Sequence, residues 1–60
     1  MSRYTVSMDT NNAAFDEDKS IEVARILREL ADKIENNGFY SYLLRDYNGN
    51  PVGKTGYFED

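Results

Sequence analysis

The chain has 60 residues, 11 acidic against 7 basic side chains for a net charge of −4, and neither cysteine nor histidine. That composition excludes disulfides, thiolate or imidazole metal sites and Ser-His or Cys-His nucleophilic machinery, and it suits a reducing compartment. A single small domain over 1–60 is expected, of a size whose marginal core favours oligomerisation, and the acidic balance argues against a partner bound through nucleic-acid phosphates.

From Arg3 to Asp9 the residues alternate, with Tyr4, Val6 and Met8 on one side and Arg3, Thr5 and Ser7 on the other, which predicts a half-buried strand. Asp9 to Asp18 is polar apart from Ala13, Ala14 and Phe15, so it reads as a loop pinned by Phe15. From about Ser20 to Asn36, Val23, Ala24, Ile26, Leu27, Leu30, Ala31 and Ile34 fill one arc of a helical wheel. The opposite arc holds Glu22, Arg25, Arg28, Glu29, Asp32, Lys33 and Glu35. Leu27 and Leu30 are expected at the centre of the helix–sheet core, and Arg25 in solvent. Asp18 or Ser20 caps the helix start, where Asp16, Glu17 and Asp18 favour the dipole, and Asn36-Asn37-Gly38 ends it.

Phe39 to Tyr47 is a β-prone aromatic run, Asn48-Gly49 signals a hairpin turn, and Pro51 to Phe58 is the return strand. A two-residue turn places Leu44 opposite Gly53. A three-residue loop over Tyr47, Asn48 and Gly49, with Gly49 left-handed, places it opposite Val52, and this apolar pairing is preferred. Tyr40, Tyr42, Leu44 and Val52 would then share one face, and Phe39, Leu43 and Tyr57 the other. The fold expected is α+β, a β-α-β-β chain making a three-stranded sheet with one amphipathic helix on one face. Strand three is placed in the middle, although Gly53 and Gly56 weaken it as a strand. One helix covers one face, so the apolar residues on the other should meet a partner or a second copy.

The motif-like strings each depart from the motif they resemble. Asp46-Tyr47-Asn48-Gly49-Asn50 begins like a calcium loop, but Pro51 stands where that loop needs glycine and Tyr57 where it needs glutamate. The stretch Gly49 to Thr55 resembles a phosphate loop but has the wrong glycine spacing and no helix after it. Asp16-Glu17-Asp18 reads as a solvated acidic run rather than a Mg²⁺ site. Carboxylate pairs are expected only on the helix's solvent arc, so an enzyme is not expected, and no cofactor or metal is implied. Five tyrosines in 60 residues, four of them in the hairpin, are the sharper signal, since tyrosine supplies rigid amphipathic surface at binding hot spots. Phe39, Leu43 and Tyr57 are the candidate anchors, and Glu29 and Asp32 belong to an acidic helix surface expected to bind the same partner.

The strings Asn12-Ala13-Ala14-Phe15, Glu22-Val23-Ala24-Arg25-Ile26-Leu27-Arg28 and Leu44-Arg45-Asp46-Tyr47-Asn48-Gly49-Asn50-Pro51-Val52-Gly53 resemble those of small uncharacterised proteins encoded by bacteriophages and prophages. The resemblance implies a setting, since short acidic phage accessory proteins resemble, as a class, inhibitors such as anti-CRISPR and anti-restriction proteins. A non-enzymatic viral protein is therefore expected that binds and inhibits a host bacterial defence protein as a homodimer. No stretch is apolar enough for a signal peptide or membrane span, so its place is the host bacterial cytoplasm, with no membrane and no direct nucleic-acid partner. Two alternatives stay open. One is an oligomeric sponge that sequesters a signalling nucleotide, which requires Arg3, Arg45 and Lys54 to converge with the tyrosines. The other is a phage structural or regulatory component.

Overall fold

The computed structural model describes residues 1–16 and 18–59. Along them lie β1 (Ser2–Met8), a short 3-10 helix (Ala13–Phe15), α1 (Lys19–Asn37), β2 (Leu43–Arg45) and β3 (Pro51–Glu59). The sheet order is β1-β3-β2, with β3 antiparallel to both neighbours, which makes the α+β fold and the central third strand expected from the sequence. Asp18 caps α1 by accepting the Ser20 N–H at 2.9 Å, and Gly38 closes it by donating to the Ile34 carbonyl at 3.0 Å. Glu17, counted in the acidic run before the helix, lies outside the described residues.

Three side chains on α1 depart from the expected arc. Ile26 and Leu30 are buried with Phe15, Leu44 and Val52, and Val23, Ile34, Met8, Ala14 and Tyr42 pack around that cluster. Leu27, expected at the core centre, is 42% exposed, whereas Glu22, placed on the solvent arc, is only 5% exposed. Arg25 is half-buried, because its guanidinium holds Glu22 at 2.7 and 2.9 Å and reaches Glu29. The helix packs against β2, at the edge of the sheet, and against the 3-10 helix. Its buried stripe is therefore turned toward the β2–β3 hairpin, which draws Glu22 in and leaves the Leu27 and Ala31 edge uncovered.

The hairpin corrects the expected register while keeping the expected loop. Asp46 N–H donates to Asn50 O at 2.9 Å, Gly49 N–H donates to Asp46 O at 3.0 Å, and Gly49 has φ 86°, so the loop is Tyr47-Asn48-Gly49. Arg45 accordingly lies opposite Pro51, but Leu44 lies opposite Gly53. Val52 is the extra residue of a bulge, which lets both Leu44 and Val52 enter the core although they do not face each other. Gly53 then runs close to β1: a Cβ there would lie 2.9 Å from Met8 Cα and against the Ser7 carbonyl oxygen. The glycine that weakened β3 as a central strand is what allows β1 to pair with it.

The second strand is shorter than its aromatic run. The chain leaves α1 above the sheet and uses 39–41 to descend, so the ladder with β3 begins at the Thr55 N–H to Tyr42 O bond of 2.8 Å. Phe39 and Tyr40 consequently lie over the end of the sheet instead of in it. The two faces also differ from expectation. Residues directly opposite share a face, so Tyr4, Val6 and Met8 lie with Tyr57, Thr55 and Gly53 on the helix side, together with Leu44. Arg3, Thr5, Ser7, Leu43, Lys54 and Phe58 lie on the outer side. That outer face is polar except for Leu43 and Phe58, the latter covered in part by Arg3, whose guanidinium carbon is 5.7 Å from its ring centre. The uncovered apolar surface is thus on the helix's own side, over β1.

Candidate protein-interaction surface

Over the end of the sheet, Tyr4, Phe39 and Tyr57 form one aromatic cluster. Phe39 stacks on Tyr4 with ring centres 4.5 Å apart, and it meets Tyr57 at 4.8 Å with planes inclined at 58°. Two exposed side chains, Phe39 and Tyr57, form its outer surface, and Val6, 44% exposed, continues it along β1. Hydrogen bonds fasten the Tyr4 end of the cluster from below. Tyr42 N–H donates to the buried Thr55 Oγ1 at 2.8 Å, and the Tyr4 hydroxyl lies 2.8 Å from both Thr55 Oγ1 and the Tyr40 carbonyl. A carbonyl only accepts, so the Tyr4 proton goes to Tyr40 O and the Thr55 hydroxyl donates to Tyr4. This chain of bonds ties the descending segment to β1 and β3. Tyr57 donates its hydroxyl to Glu59 at 2.7 Å, and that bond raises its pKa.

Of the residues expected to bind a partner, Phe39 and Tyr57 are in contact, while Leu43 is on the opposite face of the sheet. Glu29 and Asp32 are exposed on α1, and Glu29 is engaged by Arg25. Tyr4 and Val6 also belong to this surface, although the sequence places them only on one side of a half-buried strand. The alternation of 3–9 did signal an apolar face there, but not that the helix would leave it bare.

A second constellation lies under the hairpin, where carboxylates were expected only in solvent. Buried Asp46 accepts from Asn12 Nδ2 at 2.7 Å and from the Asn48 and Asn50 N–H groups at 2.9 Å each. Buried Glu22 accepts from Arg25 and, at 2.9 Å, from the Tyr47 N–H. The Arg25 hydrogen bond, helped by the Tyr47 amide, lowers the Glu22 pKa against the opposing effect of burial. Asn12, followed by the Asn50 and Asn48 amides, does the same for Asp46. These acceptors are occupied in fastening the loop before α1 and the hairpin to the helix. An open cleft of about 490 Å³ adjoins them, lined by Ala13, Ala14, Asp16, Asp18, Ile21, Glu22 and Tyr47.

Both folded pKa values lie below the unfolded ones, about 4.3 for Glu and 3.9 for Asp, so the unfolded state binds more protons in acid. The contribution is present above those unfolded values and lost as pH falls through the folded ones. Urea midpoints are expected to be flat from pH 7 to about pH 5 and to fall steeply below about pH 4. Glu22→Gln should flatten that fall, and an unchanged slope in the variant would refute the assignment.

Comparisons of the chain with protein-family models, with curated proteins and with solved structures find no match.

Proposed function

We propose that this chain is a non-enzymatic interaction protein that acts as a homodimer, binding and inhibiting a bacterial host protein, and that the Tyr4–Phe39–Tyr57 cluster is its anchor. The observation that carries the reading is an exposed aromatic cluster beside an uncovered aliphatic strip, the composition of a binding hot spot. Glu29 and Asp32 on α1 supply charge that steers a basic partner's approach. The phage-type sequence resemblance supports a host defence component as the target and the host cytoplasm as the place. Nucleotide capture has no comparable support, because Arg3, Arg45 and Lys54 lie on the outer face and Tyr4 and Tyr57 on the helix side.

The test is affinity capture from a bacterial lysate followed by titration of the purified partner. Tyr57→Ala and Phe39→Ala are each expected to weaken binding by about 2 kcal/mol or more, a factor of about 30, with unchanged circular dichroism. Glu29→Lys with Asp32→Lys should mainly slow association and change its salt dependence. Full affinity in both aromatic variants, or a titration that responds to cyclic nucleotides and to no protein, would sink the reading.

A further inference from the structure

β1 is an edge strand of seven residues, and among the described residues no strand pairs its outer side. Its hydrogen-bonding phase is set twice over. Asp9 N–H donates to Val52 O at 2.7 Å, and Thr55 N–H turns away from β1 to Tyr42 O. In an antiparallel ladder the inward and outward peptides alternate, so Arg3, Thr5 and Ser7 face β3. Ser2, Tyr4, Val6 and Met8 therefore point their N–H and C=O groups out of the sheet. The devices that blunt an edge are missing: β1 has no proline, its pairing with β3 has no bulge, and its helix-side positions carry no charge.

We propose that two copies of this chain pair through this edge, antiparallel about a two-fold axis at Thr5, to make a continuous six-stranded sheet. The inference rests on the homodimeric reading above and gives it an interface. Antiparallel pairing centred on Thr5 sets Tyr4 opposite the second copy's Val6, and Ser2 opposite its Met8. All of these are outward-facing residues, so each forms a reciprocal hydrogen-bonded pair, about eight bonds in all. Centring the pairing on Tyr4 or Val6 also matches outward peptides, but leaves part of the strand unpaired.

The side chains agree with the same register. Val6, exposed although it lies on the core side, is covered by a tyrosine, a favourable cross-strand pair. On the outer face Arg3 meets serine, so no like charges are opposed. Because α1 packs over β2, at the far edge of each sheet, the two helices stand apart. The strip over the paired β1 strands becomes a groove floored by Val6 of both copies, with the Tyr4–Phe39–Tyr57 cluster of one copy at each end. A foreign strand would lack this self-complementarity, which favours a second copy as the occupant.

The chain has no cysteine, so Thr5→Cys introduces a single thiol, on the exposed outer face. Across the axis Thr5 forms a non-hydrogen-bonded pair with Cα atoms about 4.5 Å apart, within disulfide reach. Mild oxidation at micromolar concentration is expected to convert most of Thr5→Cys to a covalent dimer. Arg3→Cys and Ser7→Cys should each crosslink at least tenfold less alone, and readily when mixed. Light scattering after gel filtration of the unaltered protein should give the mass of two chains. A single-chain mass throughout would overturn both the pairing and the homodimeric reading, even if a captured partner then protected the Tyr4 and Val6 amides from exchange. A two-chain mass with Thr5→Cys crosslinking no better than Ser7→Cys would overturn the edge pairing alone.

Discussion

Phe15→Ala is expected to unfold the domain at room temperature. Phe15 is 1% exposed and is the largest fully buried side chain, although it sits in a three-residue turn between β1 and α1. Removing a buried phenylalanine costs about 3–5 kcal/mol. A chain of this size has a total stability of about 3–9 kcal/mol, so the loss takes most of it. Leu30→Ala should cost about 2–5 kcal/mol for the same reason, and Leu27→Ala, at the uncovered edge of the helix, below about 1 kcal/mol. Thermal melts followed by circular dichroism measure all three. Equal losses for Leu27→Ala and Leu30→Ala would refute the helix orientation described above.

Gly53→Ala is expected to be nearly as damaging, by a different route. The added Cβ would meet Ser7 and Met8 backbone, and backbone cannot give way without opening the β1–β3 ladder. Overpacking against side chains costs about 1–3 kcal/mol, and here no side chain can rotate to relieve it, so about 3 kcal/mol is expected. Gly56→Ala is the control. Its Cβ would be 2.9 Å from the Phe58 ring and 3.2 Å from Thr5 Oγ1, both side chains on an exposed face. About 1 kcal/mol should be lost there. Denaturant midpoints for the pair read the difference, and a Gly53→Ala protein as stable as Gly56→Ala would contradict the close approach of β1 to β3.

Local patterns carried much of this fold. The alternation of 3–9, the apolar arc of 20–36 and the turn residues around Asn48-Gly49 each appear in the structure within a residue or two at most boundaries. Such signals depend on backbone period and on which residues tolerate a left-handed conformation, and neighbours in sequence suffice to express them. The surface was less legible. Phe39 and Tyr57, expected on one face, do meet in one aromatic cluster, but Leu43, expected beside them, lies on the opposite face, because a one-residue bulge at Val52 is invisible to a pattern of period two and shifts every later pairing. The exposure of Val6 is hidden in the sequence for a similar reason: alternation says that a face is apolar, not what lies over it.

What the sequence by itself determined, then, is the order of the three strands and the one α-helix, the loop that turns the hairpin and the acidic, cysteine-free character of the chain. Tertiary structure alone decided the rotation of α1. Its apolar arc is wide enough to pack in more than one orientation, and the Glu22, Arg25 and Tyr47 hydrogen bonds choose the one that draws the hairpin in. That choice buries a glutamate and exposes Leu27, and it leaves the helix side of β1 bare. Which surface of so small a domain remains uncovered depends on where one helix comes to rest, and that is settled by contacts between residues about 25 positions apart.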